Sequence, residues 1–246
     1  MFRRASFLVL AVLCAAIARA QAEQERLDSI LPLLDATRKD TAQLTLLTWA
    51  AESWFTSPKA APYLRRLDAL SSELLRHSDA HVRARAQRAR GAYHYLTGYH
   101  HKFARDLTAA LVSFQEAIAA FEAVGDVRGA AEGLDAIGLV YGLADAHDKA
   151  ERSFRRSLAI ARQLGDRSLE AQAHIHLAGL LTDGRAHEAA WAQLDSAGGG
   201  TPGDSVLVLS ARARIRRTQG RSADAEALLL RGLQVAGRSG NAWDSL

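Results

Sequence analysis

The sequence predicts an all-α chain of antiparallel helix pairs stacked in line as a solenoid, and three observations carry that prediction. The stretch ALVSFQEAIAAFEAVGD at 110–126 returns 40 residues later as AERSFRRSLAIARQLGD at 150–166. The two copies keep Ala110/Ala150, Ser113/Ser153, Phe114/Phe154, Ala119/Ala159, Gly125/Gly165 and Asp126/Asp166, while the positions between them change among acidic, basic and amide. Apolar and small residues recur at helical spacing, and no segment alternates as a strand would. Only four prolines occur, and two of them, Pro58 and Pro62, flank a helix start.

The elements follow in order. The first twenty residues, MFRRASFLVLAVLCAAIARA, have a basic start, an apolar run from Phe7 to Ala18 and small residues at Ala18 and Ala20. This is the pattern of a secretory signal peptide cut after Ala20. The run is shorter than the roughly 20 apolar residues that cross a bilayer, and Leu13 argues against lipidation at Cys14. Export to the bacterial periplasm is therefore the expectation. Cys14 is the only cysteine of the 246 residues, so the mature chain has no thiol for a disulfide, a nucleophile or a metal. The first twenty residues hold Arg3, Arg4 and Arg19 and no acid, which leaves 28 basic against 27 acidic residues in the remainder. The body of the chain after residue 20 is thus close to neutral.

Residues 21–40 are expected to form a capping helix, followed by five helix pairs over 41–78, 79–126, 127–166, 167–200 and 204–239, and by the start of an incomplete helix at 240–246. "GD" at 125–126 and 165–166 has a mechanical reading: glycine ends one helix in the left-handed conformation, and aspartate accepts N–H bonds to start the next. "SD" at 78–79 and "GD" at 203–204 can do the second job. In the third pair Leu134, Ile137, Gly138 and Tyr141 form one stripe, and Ala150, Phe154 and Leu158 form another. The second pair offers Gly98, Ala110, Phe114 and Ala117, the fourth Leu177, Ala178, Leu181, Ala190 and Leu194, and the fifth Ala213, Gly220, Ala225, Leu229 and Leu233. An earlier pair uses Leu44, Leu47, Ala60, Leu64 and Leu67.

These stripes resemble the tetratricopeptide repeat, in which a small residue on each helix lets the two backbones approach and large residues fill around them. Gly98, Gly138, Ala110, Ala150, Ala178, Ala190 and Ala225 match the small positions, and Phe114, Tyr141 and Phe154 the large ones. The period of 40 is that of the longer-repeat variety. The resemblance implies a right-handed α-solenoid with its first helices on a concave side. It places Tyr95, Tyr99, Lys102, Glu132, Asp135, Leu139, Gln172 and Ile175 on that side as candidate partner-binding residues. The family's tryptophan position holds His94, Leu134 and His174 instead, and the proline that closes a unit is missing. The lysine and asparagine with which some relatives clamp a terminal carboxylate are missing at the inward positions too. An ordinary helical bundle is the alternative architecture.

A narrower resemblance covers 25–70, where Asp28, Asp40, Thr41, Ser57 and Pro58 are similar to the start of exported sensor regions of bacterial signalling proteins. Such proteins continue into a membrane span and a histidine kinase-like or other cytoplasmic domain, so the resemblance implies a truncated sensor.

Chemistry is sparse. Among nine histidines, His174 and His176 point about 200° apart on a helix, His94 and His101 lie two turns apart, and His77 and His81 flank a helix break. No metal or cofactor is expected. GGGTPGD at 198–204 lacks the lysine, the hydroxyl residue and the preceding strand of a phosphate loop. No nucleophile elbow or paired carboxylates appear, so no enzyme is expected. The arginines of RARAQRAR at 83–90 spread around their helix and do not form a stripe, and with those of RARIRR at 212–217 they read as solvated surface; no nucleic-acid partner is expected. What remains is a protein- or peptide-binding scaffold in the cell envelope, as the sensing or adaptor part of a signalling system. A stand-alone assembly or chaperone-like adaptor and an intracellular regulator are the other readings.

Overall fold

The computed structural model describes residues 34, 40–54, 57–198 and 201–243. The expected signal peptide at 1–20 and the capping helix at 21–40 lie outside the described residues, apart from Leu34 and Asp40. The described chain has ten α-helices and no strand, and it forms an α-solenoid of antiparallel pairs. The pairs are α1 (Thr41–Ser53) with α2 (Ala61–Leu74), α3 (Ala80–Phe103) with α4 (Leu107–Glu122), and α5 (Val127–Leu143) with α6 (His147–Leu164). They continue as α7 (Arg167–Asp183) with α8 (His187–Ser196), and α9 (Pro202–Thr218) with α10 (Ser222–Trp243). Packing runs between consecutive helices and between successive first helices, α1 to α3, α5, α7 and α9. The apolar interior divides accordingly into clusters that advance along the chain. A bundle would gather its helices around a single core, and this arrangement has none.

Aspartate starts most first helices. Asp40, Asp79, Asp126 and Asp166 accept from backbone N–H groups of the following turn, Asp126 from Gly129 and Asp166 from Leu169, each at 3.0 Å. Gly125 (φ +69°) and Gly165 (φ +66°) take the left-handed conformation between pairs, as their position before aspartate predicts. Inside the pairs, the equivalent left-handed positions are Arg105, Asp145 and Arg185, which carry side chains, and Gly220 at φ +75°.

Three details of the fifth pair differ from expectation. Thr201 caps α9, and Asp204 is the third helical residue, its carboxylate receiving the Thr201 N–H at 2.7 Å. Pro202 at the first helical position, with φ already helical, pulls the start forward. Gly220 is a turn and not a packing position, and Leu229 is exposed while Ala213 and Ala225 are buried. The helix expected to end at Gly240 continues to Trp243, because glycine permits a stop without imposing one.

The pairs close by placing phenylalanine rings over glycine. A Cβ built on Gly138 would meet the Phe154 ring at 2.5 Å, and one on Gly98 would meet Phe114 at 2.7 Å. Phe121 lies in the same way over two glycines, Gly91 at 2.6 Å and Gly129 at 2.8 Å. One period later these three positions are Ala131, Ala161 and Leu169, which form a buried cluster of their own. Volume has moved from the second helix to the next first helix while the joint stays filled.

From α3 onward, a ladder of side chains ties each first helix to the next. Arg88 Nε lies 2.6 Å from the Asp126 carboxylate, and Arg128 Nε lies 2.8 Å from Asp166. The next rung is uncharged on one side: Ser168 donates to Asp204 at 3.3 Å. The repeated aspartate therefore caps a helix and joins two units at once. Its carboxyl in Asp166 is held below the usual value, first by the Leu169 N–H and then by Arg128.

Candidate partner-binding face

The first helices α3, α5 and α7 bring most of the candidate residues onto one face. Tyr95 and Tyr99 stand one turn apart on α3, and both rings pack edge-on against Phe114, at 5.8 and 5.2 Å between centroids. They are half-buried members of the core whose hydroxyls meet at 3.4 Å. Burial pushes the Tyr99 phenol up to about 12 and Tyr95 well above its ordinary value, so both remain neutral hydrogen-bonding groups. The Lys102 ammonium lies 4.3 Å above the Tyr99 ring and 4.8 Å from that of Phe103. Its pKa is lowered by desolvation, against the pull of Asp135.

On α5, Glu132 is half-buried and pairs with Arg128 at 2.5 Å. Burial still raises its carboxyl, because the cost of desolvation exceeds the attraction of Arg128. Asp135 is buried at 2% exposure and is engaged by His176 of α7, whose Nδ1 lies 2.9 Å from its Oδ1. A carboxylate acceptor there requires the proton on Nδ1. Asp135 thus joins two first helices and is closed to a partner. Leu139 packs on the Phe154–Leu158–Leu177 cluster and Ile175 on Ala171, Ala178 and Val208, while Gln172 is half-buried.

Two residues on this face carried no signal in the sequence. His176 was visible only as a histidine too far round the helix from His174. Glu52 on α1 is exposed, yet its carboxyl is raised by desolvation and then by the charge of Glu132. The charge of Glu132 thus reaches Glu52 from 80 residues away in the sequence, which no spacing argument could establish.

The structural positions Gly98, Ala110, Phe114, Gly138, Ala150, Phe154, Ala178, Ala190 and Ala225 are buried; Tyr141 is half-buried, with Lys149 Nζ 5.4 Å from its ring. The basic runs are tied into the scaffold. Arg83 donates to the carbonyls of His77 and Ser78, Arg88 pairs with Asp126, and Arg90 donates to Ser72. In the second run, Arg212 pairs with Asp195, and Arg216 covers Trp191 at 4.7 Å. His174 reaches Gln193 of α8 while His176 reaches Asp135 of α5, in opposite directions as their separation dictates. Among the described residues no three His, Asp or Glu side chains are grouped to hold a metal, and no helix is long and apolar enough to cross a membrane.

Two solved structures are similar in fold. BtubC (BKLC) from P. vanneervenii superimposes with a TM-score of 0.57 at 14% identity, over 95% of this chain and 92% of that one. Rap protein complexed with Competence and Sporulation Factor superimposes with a TM-score of 0.54 at 16% identity, over 95% of this chain and 65% of that one. No protein-family model matches the chain, and no curated protein matches it in sequence. At such identities the likeness establishes a tetratricopeptide-like helical solenoid and nothing finer.

Proposed function

We propose that the chain is a non-catalytic scaffold whose first-helix face is a concave groove for a protein or peptide segment. One observation supports this reading above the others: Glu52 and Glu132, from helices four apart in the chain, bear carboxyls raised by burial, that of Glu52 then by the charge of Glu132 and that of Glu132 by Asp126, Asp166 and Asp135 against the pull of Arg128, on a surface that also holds the Tyr95 and Tyr99 hydroxyls. Such a face gains from a ligand that brings a cation together with apolar area, because the cation relieves the repulsion and the tyrosines supply rigid contact at low entropic cost. The similarity to a Rap protein solved with Competence and Sporulation Factor agrees with a role in ligand binding for this architecture.

The test is fluorescence anisotropy with labelled peptide pools sorted by charge. Lysine- and arginine-bearing apolar peptides are expected to bind saturably and to lose affinity in the doubly substituted Glu52→Gln/Glu132→Gln protein. Affinity is also expected to fall as pH drops through the raised carboxyl values, above the ordinary 4.5, since protonation removes the attracting charge. Absence of saturable peptide binding, or equal binding of acidic pools, sinks the proposal.

We further propose export and an envelope signalling role, on the strength of the leader-like first twenty residues and the sensor-like stretch 25–70. Asp40 does cap α1, with Ala42 N donating at 2.8 Å, and Ser57 accepts from Lys59 N at 3.3 Å ahead of α2. Fractionation with N-terminal sequencing checks this; cytosolic protein still beginning MFRR overturns it.

A further inference from the structure

The first-helix face changes character toward the carboxyl ends of α3 and α5. Phe103, 54% exposed, and Leu143, 44% exposed, stand in register 40 residues apart on these neighbouring helices, as Tyr99 and Leu139 do one turn earlier. Matched large apolar side chains left in water mark a surface that gains from being covered. Beside them the wall is open: a Cβ built on Gly142 would meet nothing within 4 Å. Lys102, in register with Gly142, rests its ammonium on the Tyr99 and Phe103 rings and forms no ion pair among the described residues.

The same strip is acidic toward the start of α5. Glu132 lies ten residues before Gly142, and its charge reaches Glu52 of α1. Tyr95 and Tyr99 occupy the stretch between, packed on the cluster that holds Ala136, Ile137 and Val140 of α5. Ten residues of helix rise about 15 Å. An extended chain covers that distance in about five residues at about 3.3 Å each, whereas a helical one would need as many as α5 itself.

We propose that this strip binds an extended peptide segment in one orientation, with basic residues at Glu132 and Glu52 and, about five residues away, a large apolar side chain over the bare backbone of Gly142 beside Phe103 and Leu143. Given a peptide-binding first-helix face, on which this site depends, the strip fixes the order and spacing of the side chains accepted. Lys102 sets the order. Its charge repels a second cation at the apolar end, while its methylene stem and the rings beneath it accept hydrocarbon.

The test is fluorescence anisotropy of the whole protein with acetylated, amidated serine–glycine peptides that carry an Arg-Arg pair and one phenylalanine two, five or ten residues away. The spacing of five is expected to bind about tenfold tighter than the other two, because only there does the ring leave water over Gly142. Exchanging that phenylalanine for lysine is expected to cost about tenfold or more, and Lys102→Met to remove most of the penalty. Gly142→Leu fills the open space from the protein's own side, so it is expected to erase the spacing preference while the melting temperature holds or rises. Leu143→Ser is expected to weaken the five-spaced peptide about fivefold and to leave a peptide with the arginines alone unchanged. Equal affinity at all three spacings, a best spacing of ten, a lysine penalty undiminished in Lys102→Met, or a Gly142→Leu protein that keeps the preference each overturn the proposal and leave the face as a site for basic peptides. Absence of saturable binding by every peptide overturns both.

Discussion

At the scale of single residues, two glycines one turn apart on α5 make opposite predictions. Gly138 faces the Phe154 ring at 2.5 Å, while nothing lies within 4 Å of a Cβ at Gly142. Helix propensity alone favours alanine at both by up to about 1 kcal/mol. At Gly138 the ring is fixed between helices, so overpacking prevails and Gly138→Ala is expected to lose about 1–3 kcal/mol. Gly142→Ala is expected to gain about 0.5–1 kcal/mol. Urea unfolding of the two variants decides between propensity and packing at each site. The tyrosines call for the gentler change: Tyr95→Phe with Tyr99→Phe keeps the rings on Phe114 and removes only the hydroxyls. Peptide affinity is expected to fall while the melting temperature holds, whereas truncation of either ring to alanine would open the core.

At the scale of elements, the joints between pairs show what the sequence made legible. Phe114 and Phe154 stand in register 40 residues apart and announce themselves; Phe121 does not, because its counterpart is Ala161. The missing volume reappears at Leu169, where the earlier unit has Gly129, so position-by-position comparison hides a joint that is conserved in volume. Phe121→Ala is expected to cost about 3–5 kcal/mol. Adding Gly91→Ala and Gly129→Leu should recover a large part of that loss in a mutant cycle, and additive losses would refute the exchange. The turns divide similarly. Gly125 and Gly165 could be read in advance, but Arg105, Asp145 and Arg185 reach positive φ because backbone bonds at the helix ends force it, as with Ala186 N to Leu181 O at 2.8 Å. Arg185→Gly is therefore expected to stabilise by about 1 kcal/mol. The Arg128–Asp166 rung was hidden too, since its partners lie 38 residues apart on different helices. Asp166 has a folded pKa below its ordinary 3.8, so its contribution is present above 3.8 and disappears as pH falls through the lower folded value. Thermal melts of Asp166→Asn across that acid range should show a flatter decline than the parent.

At the scale of the whole molecule, the fold class could be read from period and patterning, while the face on which distant units meet could not. Tyr95, Tyr99 and Lys102 do share a surface with Glu132, but Asp135 is consumed by His176, and Glu52 enters from the first pair. Because each unit touches only its neighbours, local stability should vary along the array. Hydrogen exchange is expected to be slowest in α4 to α7 and faster in α9 and α10, and uniform protection would contradict this. The ladder along one rim has a mechanical consequence. Its short charged rungs, Arg88 to Asp126 and Arg128 to Asp166, brace the middle, whereas the final joint has a serine hydroxyl in that place, a longer Arg214–Asp183 pair at 4.0 Å and a shortened α8 beside it. The spine is therefore stiff at its centre and supple toward its carboxyl end, so a guest reaching along it would meet a fixed jaw first and a yielding one last.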